Sequence, residues 1–237
     1  MRVTDCIARI EAVADPARAA SWDRCGVQVA GTVADCTRLA VALDPLPGLI
    51  EEALAWGAQL ILTHHPLTLA PRLPDRVDDL HRVLTLVLGR GATLYSAHTS
   101  LDVVTDGPAG WLAEALALNN RRILEPAGCV PFLSLRFALP QGRTETEAAA
   151  ALAGLPGVAA LFPAPDQLEA ICPRAQRGPV LAALEKTLPG ARLTAATELL
   201  EPCTPYGYGL VGDLPTALSG EALLARLGTL LNRSFFT

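Results

Sequence analysis

Gln59-Leu60-Ile61-Leu62-Thr63-His64-His65-Pro66 is the stretch on which the fold turns. From Gln59 to Thr63 it is almost continuously apolar, as in a strand buried on both faces of a sheet. It then stops on two histidines and a proline. Two runs of the same character flank it, Arg38 to Leu43 upstream and Thr93 to Ala97 downstream. Between the runs lie apolar residues at helical spacing, Leu46 to Trp56 and Val77 to Leu88, closed by Gly57 and by Gly89 with Gly91. Strand, helix, strand, helix, strand is a βαβαβ unit, and right-handed crossovers make its sheet parallel. Further upstream, Cys6, Ile7, Ile10 and Val13 mark a helix over Thr4 to Val13 that Asp15-Pro16 stops. An irregular stretch follows, containing Ser21-Trp22-Asp23-Arg24-Cys25-Gly26.

Downstream, a second unit reads strand (Val130 to Leu139), helix (Thr144 to Leu155), strand (Val158 to Phe162), strand (Leu168 to Cys172), helix (Pro179 to Leu188), strand (Arg192 to Leu200). That order, βαββαβ, is the split βαβ of ferredoxin-like domains. The expected class is therefore α/β, with a metal-binding domain over residues 1–125 and a ferredoxin-like unit over 126–204. Residues 205–237 would begin an incomplete C-terminal half. In that last part Pro202 to Gly212 is Pro/Gly-rich, Ser219 caps a helix through Leu231, and Arg233 to Thr237 starts a strand.

Composition narrows the class of function. A formal charge of −5 argues against a general nucleic-acid binder, which needs a basic face. Lys186 is the sole lysine, and Arg174 and Arg177 are candidates for binding a local anion. No uninterrupted apolar run reaches the roughly 18 residues of a spanning helix, and acids arrive too early at the N-terminus for a secretory signal. The expectation is a cytoplasmic protein without a membrane partner. The six cysteines form no C-x-x-C pair, so they read as buried small side chains rather than as a disulfide framework or zinc ribbon.

In open α/β sheets, ligands bind outside the carboxyl ends of the strands. The first strand here ends in Asp44, the second in His64-His65-Pro66 and the third in His98-Thr99-Ser100-Leu101-Asp102, so three of four histidines fall on one edge. An isolated histidine pair is more often a solvent loop, but two converging strand ends favour a metal. Successive side chains diverge in direction, which suits two neighbouring ions with one imidazole each. Imidazole with carboxylate takes zinc, iron, manganese, nickel or cobalt. His64, His65 and Asp102 are the expected ligands, and His98 or Asp44 would orient water or transfer a proton. Gly207-Tyr208-Gly209-Leu210-Val211-Gly212 matches a dinucleotide fingerprint literally, but prolines surround it and no helix opens inside it.

Three segments together resemble the N-terminal motifs of the Nif-three-like family, whose members are commonly labelled GTP cyclohydrolase I type 2 homologues. They are Ser21-Trp22-Asp23-Arg24-Cys25-Gly26-Val27-Gln28-Val29, Leu62-Thr63-His64-His65-Pro66-Leu67 and Ala97-His98-Thr99-Ser100-Leu101-Asp102. The resemblance implies a dinuclear metal centre on His64, His65 and Asp102, with His98 beside the ions. It also implies self-assembly into ring-shaped hexamers. The family completes its site with a C-terminal histidine and glutamate, whereas no histidine follows His98 here; Ser100 replaces a more usual asparagine. A metal-dependent, hydrolase-like protein with weakly held metal is the implied function, and its rival is a non-catalytic metal-binding assembly or regulatory protein. Trp22, Asp23 and Gly26 are expected near the same edge, the other reading being a surface linker with Trp22 plugging the core.

Overall fold

The computed structural model describes residues 1–155 and 157–234. It is a mixed α/β structure with two four-stranded sheets. The chain divides into two compact units, residues 1–126 with the described part of 207–237, and residues 127–206.

The first unit runs α1 (Val3–Val13), β1 (Gly26–Val29), β2 (Leu39–Ala42), α2 (Pro47–Trp56), β3 (Leu60–Thr63), α3 (Asp79–Arg90), β4 (Thr93–Ser96), the single turn α4 (Thr99–Asp102) and α5 (Pro108–Ala115). Strands β2, β3 and β4 are adjacent and parallel, with Leu39 opposite Leu60 and Leu60 opposite Thr93. Side chains alternate along a strand. Leu60 and Tyr95 therefore turn to one face and pack with Val3, Ala14 and Cys36 beneath α1. Ile61 and Leu94 turn to the other, against Ile50 and Leu54 of α2 and Val83 and Val87 of α3. Helices on both faces are what a continuously apolar strand requires. Both α2 and α3 end on a left-handed glycine, Gly57 (φ 89°) and Gly91 (φ 61°), so the chain turns back sharply into β3 and β4.

The second unit takes in the part of β5 (Asn119–Ala138) from Ala127 onward, α6 (Glu145–Leu152), β6 (Ala160–Ala164), β7 (Gln167–Pro173), α7 (Arg177–Thr187) and β8 (Arg192–Asp213) as far as Tyr206, with strand order β6-β7-β5-β8. Strand β7 is antiparallel to both β5 and β6. Alternate residues Leu133, Leu135 and Phe137 of β5 and Leu168, Ala170 and Cys172 of β7 bury against Ala148, Leu152, Val180 and Leu184 of the two helices. Thr144 and Glu147 close a reciprocal capping box at the start of α6. A last helix, α8 (Gly220–Leu231), is capped by Ser219, whose hydroxyl accepts from the Ala222 amide.

Several features differ from the sequence reading. The first sheet is not wholly parallel, because β1 pairs antiparallel with β4, Gly26 opposite Ser96. Polar Gln28 interrupts that short strand, and its first residue lies in the stretch read as irregular. Two-sided burial holds for β3 and β4 only. Strand β2 is the sheet edge, with Val41 71% exposed. Strand β5 begins at Asn119 rather than near Val130, since its first residues are polar and exposed and carry no apolar signal. Cys129 and Cys203 form a disulfide, Cα to Cα 5.7 Å, where none was expected. They are 74 residues apart in sequence and meet only because β5 and β8 are neighbours. The strand anticipated at Arg233 to Thr237 is absent at Arg233 and Ser234, and Phe235 to Thr237 lie outside the described residues.

The strand expected to end at Leu200 continues through the Pro/Gly-rich stretch Pro202 to Gly212 as part of β8. Two of its glycines mark close backbone approach: a Cβ on Gly207 would collide with the Glu125 carbonyl oxygen, and one on Gly212 would lie 2.7 Å from that of Asn119. Gly207→Ala should therefore cost roughly 2–3 kcal/mol, as overpacking against rigid backbone does. Urea denaturation read by circular dichroism measures it, and an unchanged midpoint would contradict this account of the motif. Among the described residues, no helix is long and apolar enough to cross a membrane.

Candidate metal centre

The carboxyl ends of β3 and β4 carry the chemistry, and local hydrogen bonds set them. As β3 ends, the His64 amide donates to the Ala42 carbonyl at 3.2 Å and the His65 amide to that of Leu43 at 2.9 Å. Two buried hydroxyls hold the same turn from below: Ser96 Oγ donates to the His64 carbonyl at 2.7 Å and Thr63 Oγ1 to the His65 carbonyl at 2.8 Å. Pro66 keeps His65 out of the α region. The tandem histidines are thus fixed on backbone that is itself anchored.

Each of three rings has its Nδ1 engaged by an acceptor. His64 Nδ1 lies 3.2 Å from the Ala97 carbonyl, His65 Nδ1 2.6 Å from Asp44 Oδ1, and His98 Nδ1 3.0 Å from Asp23 Oδ1. A carbonyl or carboxylate only accepts, so each Nδ1 carries the hydrogen and each Nε2 keeps its lone pair. The ring centroids stand 5.0, 5.1 and 5.4 Å apart, and the three histidines can bring ligand atoms within 4.8 Å of one another. Nitrogens around one tetrahedral ion at zinc's bond length lie about 3.4 Å apart, so a small closure of the rings suffices. Asp102 Oδ1 is 3.7 Å from His64 Nε2. The donor set fits a divalent ion of the zinc, iron, manganese, nickel or cobalt kind.

Asp23 is the hub beneath this cluster. Its buried carboxylate accepts from the amides of Arg24 (2.6 Å) and Thr99 (2.9 Å), from the Thr99 hydroxyl, and from Cys25 Sγ at 3.0 Å, besides His98. Burial opposes its ionisation, but hydrogen bonds from Cys25, Thr99, His98 and Arg24 outweigh burial and hold the carboxyl far below the usual range. Burial first, and then Asp23, push the Cys25 thiol up, so it serves as a neutral donor to the carboxylate.

The residues expected at the metal centre lie at this edge, in different relations. His64, His65 and His98 converge. Asp102 stands at the margin, beside His64, and Asp44 bonds the far side of the His65 ring. Trp22 does not plug the core; it is 58% exposed, with its ring edge-on to His98 at 6.0 Å. His81, within α3, is outside the cluster. Sequence reasoning missed Tyr208. Burial pushes its phenol up, a hydrogen bond with Thr99 works against that, and the charges of Asp102 and Asp23 add to it. It sits in the glycine-rich segment set aside as a false fingerprint; an aromatic between two glycines of a strand was the available signal.

A family model for Duf34/NIF3 (NGG1p interacting factor 3) matches residues 1–235. A GTP cyclohydrolase 1 type 2 homolog of Nostoc sp. is 38% identical over 125 residues, covering 51% of this chain and 46% of that protein. A second such homolog, from Halalkalibacterium halodurans, is 31% identical over 128 residues, 54% of this chain and 34% of its own. These matches thus span less than half the length of either relative. A Bacillus cereus protein related to NIF3 shares the fold, with TM-score 0.75 at 20% identity over 98% of this chain and 70% of its own. Reduced HcgD from Methanocaldococcus jannaschii superposes with TM-score 0.51 at 30% identity, over 57% of this chain and 54% of that one. The matched span takes in both units of the fold and every histidine of the cluster, and the chain belongs to the Duf34/NIF3 family.

Proposed function

We propose that this chain is a metal-dependent, hydrolase-like protein whose centre is formed by His64, His65 and His98, with Asp102 as a further donor. One observation carries the reading: the three histidines can bring ligand atoms within 4.8 Å of one another, and with each Nδ1 against an acceptor it is Nε2 that is left for an ion. Such a bound divalent ion supplies a Lewis acid that acidifies water and polarises a carbonyl or phosphoryl oxygen. The chain's own residues do the rest. Asp23 and Asp44 fix tautomer and ring orientation, as outer carboxylates do for metal-bound histidine. The Asp102 carboxylate faces the same nitrogen of His64 and is placed to accept a proton at Oδ1.

This refines the assignment made from sequence, moving His98 from beside the ion to a ligand and making Asp44 a positioning residue. The parallel run β2-β3-β4 supports a βαβαβ core, and the order β6-β7-β5-β8 supports a ferredoxin-like second unit. A cytoplasmic homohexamer is proposed on the family resemblance alone. Calorimetric titration of the chelator-treated chain with Zn²⁺ or Mn²⁺ should give one equivalent per chain. Phosphoester and purine nucleotide hydrolysis should then rise with occupancy. Stoichiometric binding without turnover of any such substrate would favour the non-catalytic assembly, and no binding would end the metal reading.

A further inference from the structure

Away from the histidines, two thiols that are distant in sequence meet at the N-terminal helix. Cys6 lies on the second turn of α1, and Cys36 follows a segment docked on the start of that helix. The docking is by backbone. Cys36 donates its amide to the Met1 carbonyl at 2.7 Å, Val3 donates to Ala34 at 2.8 Å, and Arg2 bridges Asp35 antiparallel. These contacts bring both side chains to the core beneath α1, where Cys6 packs against the cluster that contains Cys36 and Cys36 Sγ donates to the Arg38 carbonyl at 3.7 Å. Their burial is unequal. Cys36 is 7% exposed, whereas Cys6 is half-buried and lines an apolar groove of about 400 Å³ with Ile10, Val13, Leu39, Leu62 and Leu101.

We propose that Cys6 and Cys36 form an oxidisable dithiol, in which Cys6 is the entry thiol and Cys36 the resolving one, closing a disulfide on exchange with a small-molecule disulfide such as glutathione disulfide. Each step balances. The Cys6 thiol loses its proton to solvent, and its sulfur attacks one sulfur of glutathione disulfide. That forms a Cys6–glutathione mixed disulfide and expels one glutathione thiolate. Cys36 then loses its proton, and its sulfur attacks that of Cys6. The Cys6–Cys36 bond forms as the second glutathione thiolate leaves. Two electrons and two protons have left the protein, and one glutathione disulfide has become two glutathiones.

The groove explains the order of attack, since it reaches Cys6 while Cys36 lies behind. Burial first, and then the neighbouring Cys6, push the Cys36 thiol up. The other two free thiols have no such partner. Cys25 donates to Asp23, and Cys172 is buried in the core of the second unit. The new bond would close a loop of about 30 residues and staple α1 to the Ala34–Cys36 segment.

The test treats the folded, chelator-treated full chain with glutathione disulfide at mildly alkaline pH and counts free thiols, with peptide mapping by mass spectrometry. The four free cysteines should fall to two, the map should show Cys6 joined to Cys36, and the unfolding temperature should rise by roughly 5–10 °C. Cys36→Ser should leave a persistent glutathione adduct on Cys6. Cys6→Ser, the milder change at a half-exposed position, should leave Cys36 unreacted. A persistent adduct on Cys6 in the unaltered chain, a bridge between any other pair, or four thiols still free would each overturn the proposal.

Discussion

His98→Ala should weaken Zn²⁺ binding by on the order of 100-fold or more, and Asp23→Asn, which touches no ion, should weaken it by roughly 10–100-fold. The two expectations rest on one geometry. His98 offers Nε2 only because its Nδ1–H is held at 3.0 Å by Asp23, whose carboxylate is itself fixed by Thr99, Arg24 and Cys25. An asparagine can still accept at one oxygen, but its amide nitrogen faces donors that the carboxylate satisfied. The ring then loses its preferred tautomer or its orientation, and the third ligand is lost to a fraction of the molecules. Competition against a chromophoric chelator gives both affinities, and the unfolding midpoint of each variant checks that the fold survives. If His98→Ala binds as tightly as the unaltered chain, His98 is not a ligand. The centre then reverts to His64, His65 and Asp102.

How much of this could be read in advance divides along physical lines. The positions of β3 and β4 were legible because strands buried on both faces read as almost continuously apolar runs, here with only small or aromatic polar side chains. Strand β1 was not, since four residues with Gln28 among them give neither alternation nor a block. The edge character of β2 was hidden for a related reason. Leu39-Ala40-Val41-Ala42 is as apolar as its neighbours, and nothing in the residues says that Val41 faces solvent. The reading of β8 began at Arg192 but stopped at Leu200, short of Asp213, where proline and glycine are ordinarily turn signals. At Gly207 the glycine instead makes room for a crossing backbone, a long-range fact with no local trace.

The site was legible one residue at a time but not in its connections. Strand ends nominated His64, His65, His98, Asp44 and Asp102, and the irregular segment nominated Asp23. The division of labour among them depends on which ring nitrogen meets which acceptor. Asp23 and His98 are 75 residues apart, Asp44 and His65 are 21 apart, and only the folded chain pairs them. Tyr208 arrives from farther still, on the part of β8 beyond Leu200 where the sequence reading ended its strand. Asp44, a catalytic candidate from the strand-end argument, lies behind His65 at its Nδ1, whereas Asp102 faces His64 Nε2.

Tyr95→Ala should destabilise the first unit by about 3–5 kcal/mol, the range for removing a buried aromatic, and should loosen the centre with it. Tyr95 is fully buried in β4, between its partners in β3 and β1 and under α1. Its phenol reaches Glu11 Oε1 at 3.2 Å, tying the helix to the sheet. Its carbonyl accepts from Thr63 Oγ1 at 3.4 Å, the hydroxyl that also supports the His65 carbonyl. Truncation leaves a cavity one strand residue away from Ser96 and three from His98, where relaxation would shift the backbone carrying both. Tyr95→Phe separates the two contributions. It keeps the ring and loses only the bond to Glu11, so it should cost about 1 kcal/mol and leave metal affinity unchanged. Denaturant unfolding with a zinc titration on each variant decides the matter. A phenylalanine variant as unstable as the alanine one would mean that the bond to Glu11, and not the packed ring, holds α1 on the sheet.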